Sequence, residues 1–222
     1  MEFNRKVAAD DLKRYRQKGP DRTTRMLIDA LKAEGIQGMT LLDIGGGVGV
    51  IQHELLKAGV RSATGVDAST AYIEVAKEEA QRRGHADRIN LHHGDFVALA
   101  PNIPAADIVT LDRVICCYHH MEGLLGRSSE KARKFYGVVY PRDTWWMKIS
   151  LPIINFFYWL RRSPFRTFLH LSAAVDAVVR ANGLKRRHYS QTIVWQVVVY
   201  GHSNLQESQT SLSAPIFRPD SA

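Results

Sequence analysis

The ten residues LLDIGGGVGV, 41–50, constrain the fold more than any other stretch of the chain. An apolar run leads through Asp43 and Ile44, and four glycines then fall within positions 45–49. A short buried strand that passes through a turn stripped of side chains into a helix is a strand–turn–helix unit. Glycine tolerates positive φ and lets a ligand come close to the backbone. The free N–H groups that open the next helix suit a negatively charged group. The turn is therefore read as a ligand cradle.

The flanking sequence alternates in the same sense. Helices are expected over 21–34, 48–57, 69–83 (stopped by Gly84), 121–135 and 172–181 (closed by Asn182-Gly183). Strands are expected over 40–44, 63–66 with Asp67 at its end, 89–92, 107–111, 137–140, 184–190 and 193–200. Strands alternating with helices predict an α/β fold, with a mostly parallel sheet covered on both faces. The last two strands lie too close together for a crossover helix, so they pair antiparallel. Residues 203–222 are polar and aperiodic and read as a loose tail beyond a single domain over 1–202.

With 222 residues, 45% of them hydrophobic, the chain can bury a core without cross-links. Its two cysteines, Cys116 and Cys117, are adjacent, which excludes a disulfide framework and a CxxC metal pattern. With no apolar leader at the start, a cytoplasmic location is expected. No His, Cys, Asp and Glu spacing demands a metal, so none is expected. The net charge of +8 admits nucleic acid, an anionic membrane surface or an acidic substrate. No zinc-finger or RRM signature occurs, and nucleic acid is not the expected partner. The segment ISLPIINFFYWL, 149–160, is too short to span a bilayer. Lys148, Arg161 and Arg162 flank it as they would an interfacial helix. The reading taken is a helical lid over an apolar substrate, spanning 141–170, with peripheral membrane contact as the other.

What the glycine turn holds can be narrowed by elimination. A phosphate loop ends in Gly-Lys-Ser/Thr, but Val50 follows Gly49. The dinucleotide fingerprint needs glycines at its first, third and sixth positions, and no register supplies them. Asp43, Gly45, Gly47 and Gly49 satisfy Asp-x-Gly-x-Gly-x-Gly instead. Three further strands end in acids: TGVDAS at Asp67, HHGDF at Asp95 with Phe96, and VTLDRVICC at Asp112. Carboxylates on one rim of a parallel sheet stand where open α/β sheets bind ligands. Asp67 can accept both hydroxyls of a ribose, Asp95 an adenine amino group, and Phe96 can lie against the ring.

On these four motifs the chain resembles the class I S-adenosylmethionine-dependent methyltransferases, from about Asp21 through Gly201. The resemblance implies a Rossmann-like seven-stranded sheet with its last strand antiparallel. It also implies S-adenosyl-L-methionine as cofactor and S-adenosyl-L-homocysteine as product. Gly45, Gly47 and Gly49 would meet the methionine portion, Asp67 and Ala68 the ribose, Asp95 and Phe96 the adenine. Asp112 and Arg113 would line the cofactor near its sulfonium, and 1–38 would form an N-terminal helical lid. KGPDRTTRMLIDAL and YPRDTWWMKI are similar to small-molecule O-methyltransferases of the magnesium-protoporphyrin type and to bacterial relatives. Cys117 and His119 depart from that type's pattern around Tyr118, so its substrate does not carry over.

Methyl transfer needs alignment and exclusion of water, and a hydroxyl acceptor also needs a base. His119, His120 and Tyr15 are the base candidates, because imidazole titrates near neutrality and Tyr15 lies on the N-terminal lid. Tyr118, Arg161, Arg162 and Arg166 are candidates to hold the substrate, the arginines through a carboxylate. His170 is expected to cap the last helix, and the cysteines to continue an apolar strand from Val114. The leading expectation is methyl transfer to oxygen of an apolar small molecule. An RNA or protein methyltransferase using the basic surface, and a catalytically silent cofactor-binding regulator, stand beside it.

Overall fold

Strand polarity and helix caps together generate the architecture. The computed structural model describes residues 4–160, 162 and 166–202, so Arg161 and the proposed tail 203–222 lie outside the described residues. Seven strands form one sheet in the order β3-β2-β1-β4-β5-β7-β6. They are β1 (Thr40–Ile44), β2 (Ser62–Asp67), β3 (Ile89–His93), β4 (Ala106–Asp112), β5 (Ala132–Pro141), β6 (Leu184–Gln191) and β7 (Trp195–His202). β1 to β5 pair in parallel, while β7 runs antiparallel to both β5 and β6. The expected Rossmann-like sheet and its closing hairpin are both present.

Period-two alternation divides the core between the two faces. Leu41, Ile108, Val197 and Val199 pack with Leu27, Ile28, Leu31, Ile51 and Leu55. These last come from α2 (Arg22–Ala33) and α3 (Val50–Lys57). Their strand neighbours Leu42, Val109, Val198 and Tyr200 face the other way. That second layer is closed by α5 (Phe96–Leu99), α6 (Met121–Glu130) and α8 (Ser172–Ala181). Two further helices flank the sheet, α1 (Arg5–Lys18) and α4 (Thr70–Arg82), and α7 (Trp145–Leu160) follows β5.

Capping sets the helix starts. Asn4, Asp21 and Ser69 accept from Val7, Thr24 and Tyr72 amides to open α1, α2 and α4. The start of α8 is held differently from expectation. Asp143 accepts from the Ser172 amide and hydroxyl. His170, expected as the cap, instead turns its Nε2 to the carbonyls of Ile115 and Tyr118.

Two further expectations are corrected. The predicted helix 121–135 stops at Glu130, and Ala132 onward belongs to β5. Ser128 and Ser129 hydroxyls donate back to the Leu125 carbonyl, and the following residues find partners on β4 and β7. The cysteines do not continue β4. Arg113 adopts φ +61°, and Ile115–Cys117 form a 3-10 turn. Cys116 is buried there, Cys117 exposed, with their sulfurs 3.7 Å apart.

One buried carboxylate ties α1 to the body. Glu79, on α4, accepts from Arg82 at 2.7 and 2.8 Å, from Arg16 of α1 at 2.5 and 3.0 Å, and from Arg83 at 2.5 Å. Burial alone would raise its pKa, but the Arg82, Arg16 and Arg83 bonds outweigh burial and hold it well below the usual carboxylate range. A depressed pKa stabilises the fold above the unfolded value of 4.5 and loses that contribution as pH falls. Glu79→Gln is expected to cost ~2–4 kcal/mol at neutral pH, with unpaired arginines left behind. In denaturant titrations the gap to the unsubstituted protein should narrow as pH drops below 4.5.

Candidate functional site

The glycine turn leaves β1 with the sheet's hydrogen bonding still intact, since the Gly45 amide donates to Val66 O at 2.7 Å. Gly45, Gly47 and Gly49 then all take positive φ, and Gly49 caps α3 in the left-handed region. At Gly45 a β-carbon would overlap Val114 Cγ2, so the turn needs a missing side chain as well as glycine's backbone freedom.

Asp43 stands behind the turn, almost wholly buried. It accepts from Thr110 Oγ1 at 2.7 Å and Gln52 Nε2 at 3.1 Å. Burial pushes its pKa up to about 7 against those two bonds, with Asp112 and Asp67 adding to the rise. Asp67 ends β2 with Oδ2 accepting from the Gly47 amide at 3.0 Å and Oδ1 from the Ser69 amide at 2.8 Å. It therefore locks the turn to the second strand. Asp95 caps α5, and both its oxygens lie 3.0 Å from the Tyr118 hydroxyl that donates to them.

Asp112, at the end of β4, accepts from the Thr24 hydroxyl at 2.5 Å and from Arg113 Nε at 3.1 Å. The Arg113 guanidinium reaches Asp21 at 2.5 Å. This clamp fastens the start of α2 to the sheet rim, and the sequence reading missed Thr24 and Asp21 as members. Their signal was present: an Asp-x-x-Thr helix start immediately before an apolar stripe.

These groups border one open cavity of about 1140 Å³ at the carboxyl ends of β1, β2 and β4. Asp43, Gly45, Gly47, Asp67, Ala68, Asp95, Phe96, Asp112, Arg113, Tyr118 and Tyr15 all line it. Gly49, His119, His120, Arg162 and Arg166 do not. His120 caps α6 through Nδ1, accepting from Gly123 N at 3.3 Å, and His119 packs edge-on against Phe168. Tyr15 donates to Glu54 at 2.6 Å, and burial followed by that bond raises its pKa strongly, so it keeps its proton. Next to Tyr15, His53 and His85 face each other through Nδ1 at 3.0 Å. Burial first, then the Arg83 charge, lowers the pKa of His53 to about 4 and keeps it neutral. Among the described residues no group of three or more His, Cys, Asp or Glu could hold a metal ion.

A family described as a methyltransferase domain matches residues 41–133, which carry the glycine turn and the three acid-tipped strands after it. Ribosomal protein L11 methyltransferase from Enterobacter sp. (strain 638) is 32% identical over 91 residues, 41% of this chain. The match covers 30% of that relative's length, and 40% for the Serratia proteamaculans (strain 568) enzyme of the same name. Magnesium protoporphyrin IX methyltransferase from Synechocystis PCC 6803, with bound SAH, superposes at TM-score 0.66 and 18% identity. That likeness covers 88% of this chain and 96% of the other, and the same enzyme is also known with bound SAM. An O-methyltransferase family protein from Burkholderia thailandensis superposes at TM-score 0.63 and 16% identity, over 91% of this chain and 64% of that one. At such identities the likeness is one of fold.

Two substitutions test the turn. Gly45→Ala should lower stability by ~1–3 kcal/mol through its φ and the clash with Val114. The raised pKa of Asp43 makes its contribution largest below its unfolded value of 3.8 and progressively lost as pH rises through about 7. Measured by denaturant titration, Asp43→Asn should therefore gain on the unsubstituted protein from acid to mildly alkaline pH, by up to ~4 kcal/mol.

Proposed function

We propose that this chain is a class I S-adenosylmethionine-dependent methyltransferase, a reading supported by the matched methyltransferase domain and the likeness of fold, and that it transfers methyl to an oxygen of an apolar small molecule. A carboxylate is the preferred acceptor. The observation that carries this reading is the single cavity in which the glycine turn meets Asp67, Asp95 and Tyr118. Its volume of about 1140 Å³ exceeds the usual span of roughly 300–1,000 Å³ for small-ligand pockets, leaving room beside a cofactor for an acceptor.

The residues present fit the cofactor. Gly47 turns a face without side chain into the cavity, where even a β-carbon would have only Tyr72 within 4 Å. Gly45 and Gly47 would receive the amino-acid portion, Asp67 with Ala68 the ribose, and Asp95 with Phe96 the adenine. When bound, the sulfonium supplies an electrophilic methyl group. The protein's own contribution is to orient and to exclude water. α1 and the Asp112–Arg113–Asp21–Thr24 clamp border the cavity from the N-terminal side, in the role of a lid. Gly49 acts indirectly, by starting α3 at the correct angle.

Tyr15 keeps its proton and the two histidines stand off the cavity wall. An acceptor ionised at neutral pH needs no base from any of them. Arg113, Arg14 and Arg5 line the cavity, but each is ion-paired there, with Asp21 and Asp112, with Asp11 and with Glu74, so the preference for a carboxylate rests on its needing no base. Tyr118 keeps its proposed place on the acceptor side, whereas Arg162 and Arg166 stand off the cavity wall and Arg161 lies outside the described residues. The relatives named for a ribosomal protein leave a protein acceptor as the second reading.

Titration calorimetry with S-adenosylhomocysteine should give saturable heat that Asp67→Ala weakens at least ~10-fold, with NAD silent. With methyl-labelled cofactor, apolar carboxylates should become labelled esters at a rate flat through neutral pH. A rate that rises with pH, and loses that dependence in His119→Ala, would move the reading to a hydroxyl acceptor with His119 as base. Label appearing only on ribosomal protein would replace the small-molecule acceptor. Binding without transfer to any acceptor would favour the silent regulator.

A further inference from the structure

α7 has its apolar side facing outward. Ile149, Ile153, Phe156, Phe157, Trp159 and Leu160 are each more than half exposed, while only Met147 and Leu151 of this helix are buried. Scattered exposed hydrophobics are ordinary, but a contiguous outward face of this kind marks an interaction surface. The helix is anchored. Asn155 exchanges hydrogen bonds with the Thr167 backbone at 2.8 and 2.9 Å, and the Phe168 amide donates to Cys116 O at 2.7 Å. Its position is therefore set relative to the Ile115–Tyr118 loop that borders the cavity. No α7 residue lines the cavity wall, so the outward face serves something other than closing it.

We propose that α7 lies in the surface of an anionic lipid bilayer and seats the cavity-bearing edge of the sheet toward that membrane. The charge pattern selects this occupant. From 144 through 175 there is no aspartate or glutamate, whereas Lys148, Arg161, Arg162 and Arg166 are all basic. Basic residues beside an apolar helix favour anionic headgroups over neutral ones. In a two-fold dimer the same surface meets itself, which would set these like charges against each other. The residue types agree, since 145–160 holds three tryptophans, two phenylalanines and a tyrosine, the aromatics that settle at headgroup depth. Sixteen residues rise ~24 Å, short of the ~30 Å hydrocarbon core. No helix among the described residues is long and apolar enough to cross a membrane, so the helix lies on the surface. β5 runs parallel to β4, so α7 leaves the sheet at the edge where the cavity opens. The docking is independent of methyl transfer. Only the corollary that an amphiphilic acceptor reaches the cavity from the bilayer rests on that reading.

The test is co-sedimentation of the full chain with vesicles of equal parts phosphatidylcholine and phosphatidylglycerol, beside pure phosphatidylcholine. Binding to the anionic vesicles is expected to be at least ~10-fold stronger, and to fall as salt rises from about 0.1 to about 1 M. Phe157→Asp and Ile153→Asp should each weaken it ~10-fold or more, with circular dichroism and thermal midpoint unchanged. Protein that stays in the supernatant at low salt would overturn the proposal. So would undiminished binding of both folded variants, which would assign the attraction to general basicity. A concentration-dependent dimer abolished by Phe157→Asp, without vesicle binding, would give the face to a second copy instead.

Discussion

The reversal of strand order beside β1 is the constraint on which the rest of the molecule depends. After β1 the chain winds outward to β2 and β3, then returns across β1 to place β4 on its other side. Helices leaving β1 and β4 must therefore diverge to opposite faces, and their separation opens a crevice at the carboxyl rim. The glycine turn follows β1 into that crevice, and Asp67, Asp95 and Asp112 reach it from the neighbouring strands. Moving any one of these residues to the opposite end of its strand would keep the core and abolish the site.

The acids at the rim are not interchangeable, although the sequence presents them alike. Asp43 is buried behind the turn, and its partners Thr110 and Gln52 make it a brace. Asp67 lies in front and holds the turn by its amide. Asp112 faces the N-terminal helices and shares Arg113 with Asp21. Burial raises the pKa of Asp43, Asp67 and Asp112 alike, yet each carboxylate is held by a different element. The rim is thus stitched to the sheet, to α3 and to α2 by separate bonds.

Much of this could be read from the sequence, for definite reasons. The apolar run at 40–44 and the acids at or just beyond the ends of β2, β3 and β4 are local patterns, and the structure keeps their places. What local patterns could not reveal were decisions made by distant partners. Residues 132–135 look helical beside SSEK until β4 offers them a ladder, which β7 joins from Phe135 onward. Val114 to Cys117 look like continuing strand until Arg113 turns the chain through positive φ to meet Asp21. His119 and His120 follow a cavity-lining tyrosine in sequence, yet one packs on Phe168 and the other caps a helix. The apolar run in α7 announced a helix, but which way it faces depends on what packs beneath it.

The facing imidazoles of His53 and His85 restrict how many protons this part of the molecule can carry. With both rings neutral, a hydrogen bond between two Nδ1 atoms needs one ring to hold its proton on Nδ1 and the other on Nε2. The pair is thus confined to complementary tautomers. Two imidazolium rings would point N–H at N–H, beside Arg83. Acidification would therefore feed protons to the unfolded chain, where histidine accepts them near pH 6.5, before it feeds them to the folded one. Because Tyr15 stacks on His53 and Arg83 lies over the Tyr15 ring, the part of the fold under that strain is the one holding α1 beside the cavity.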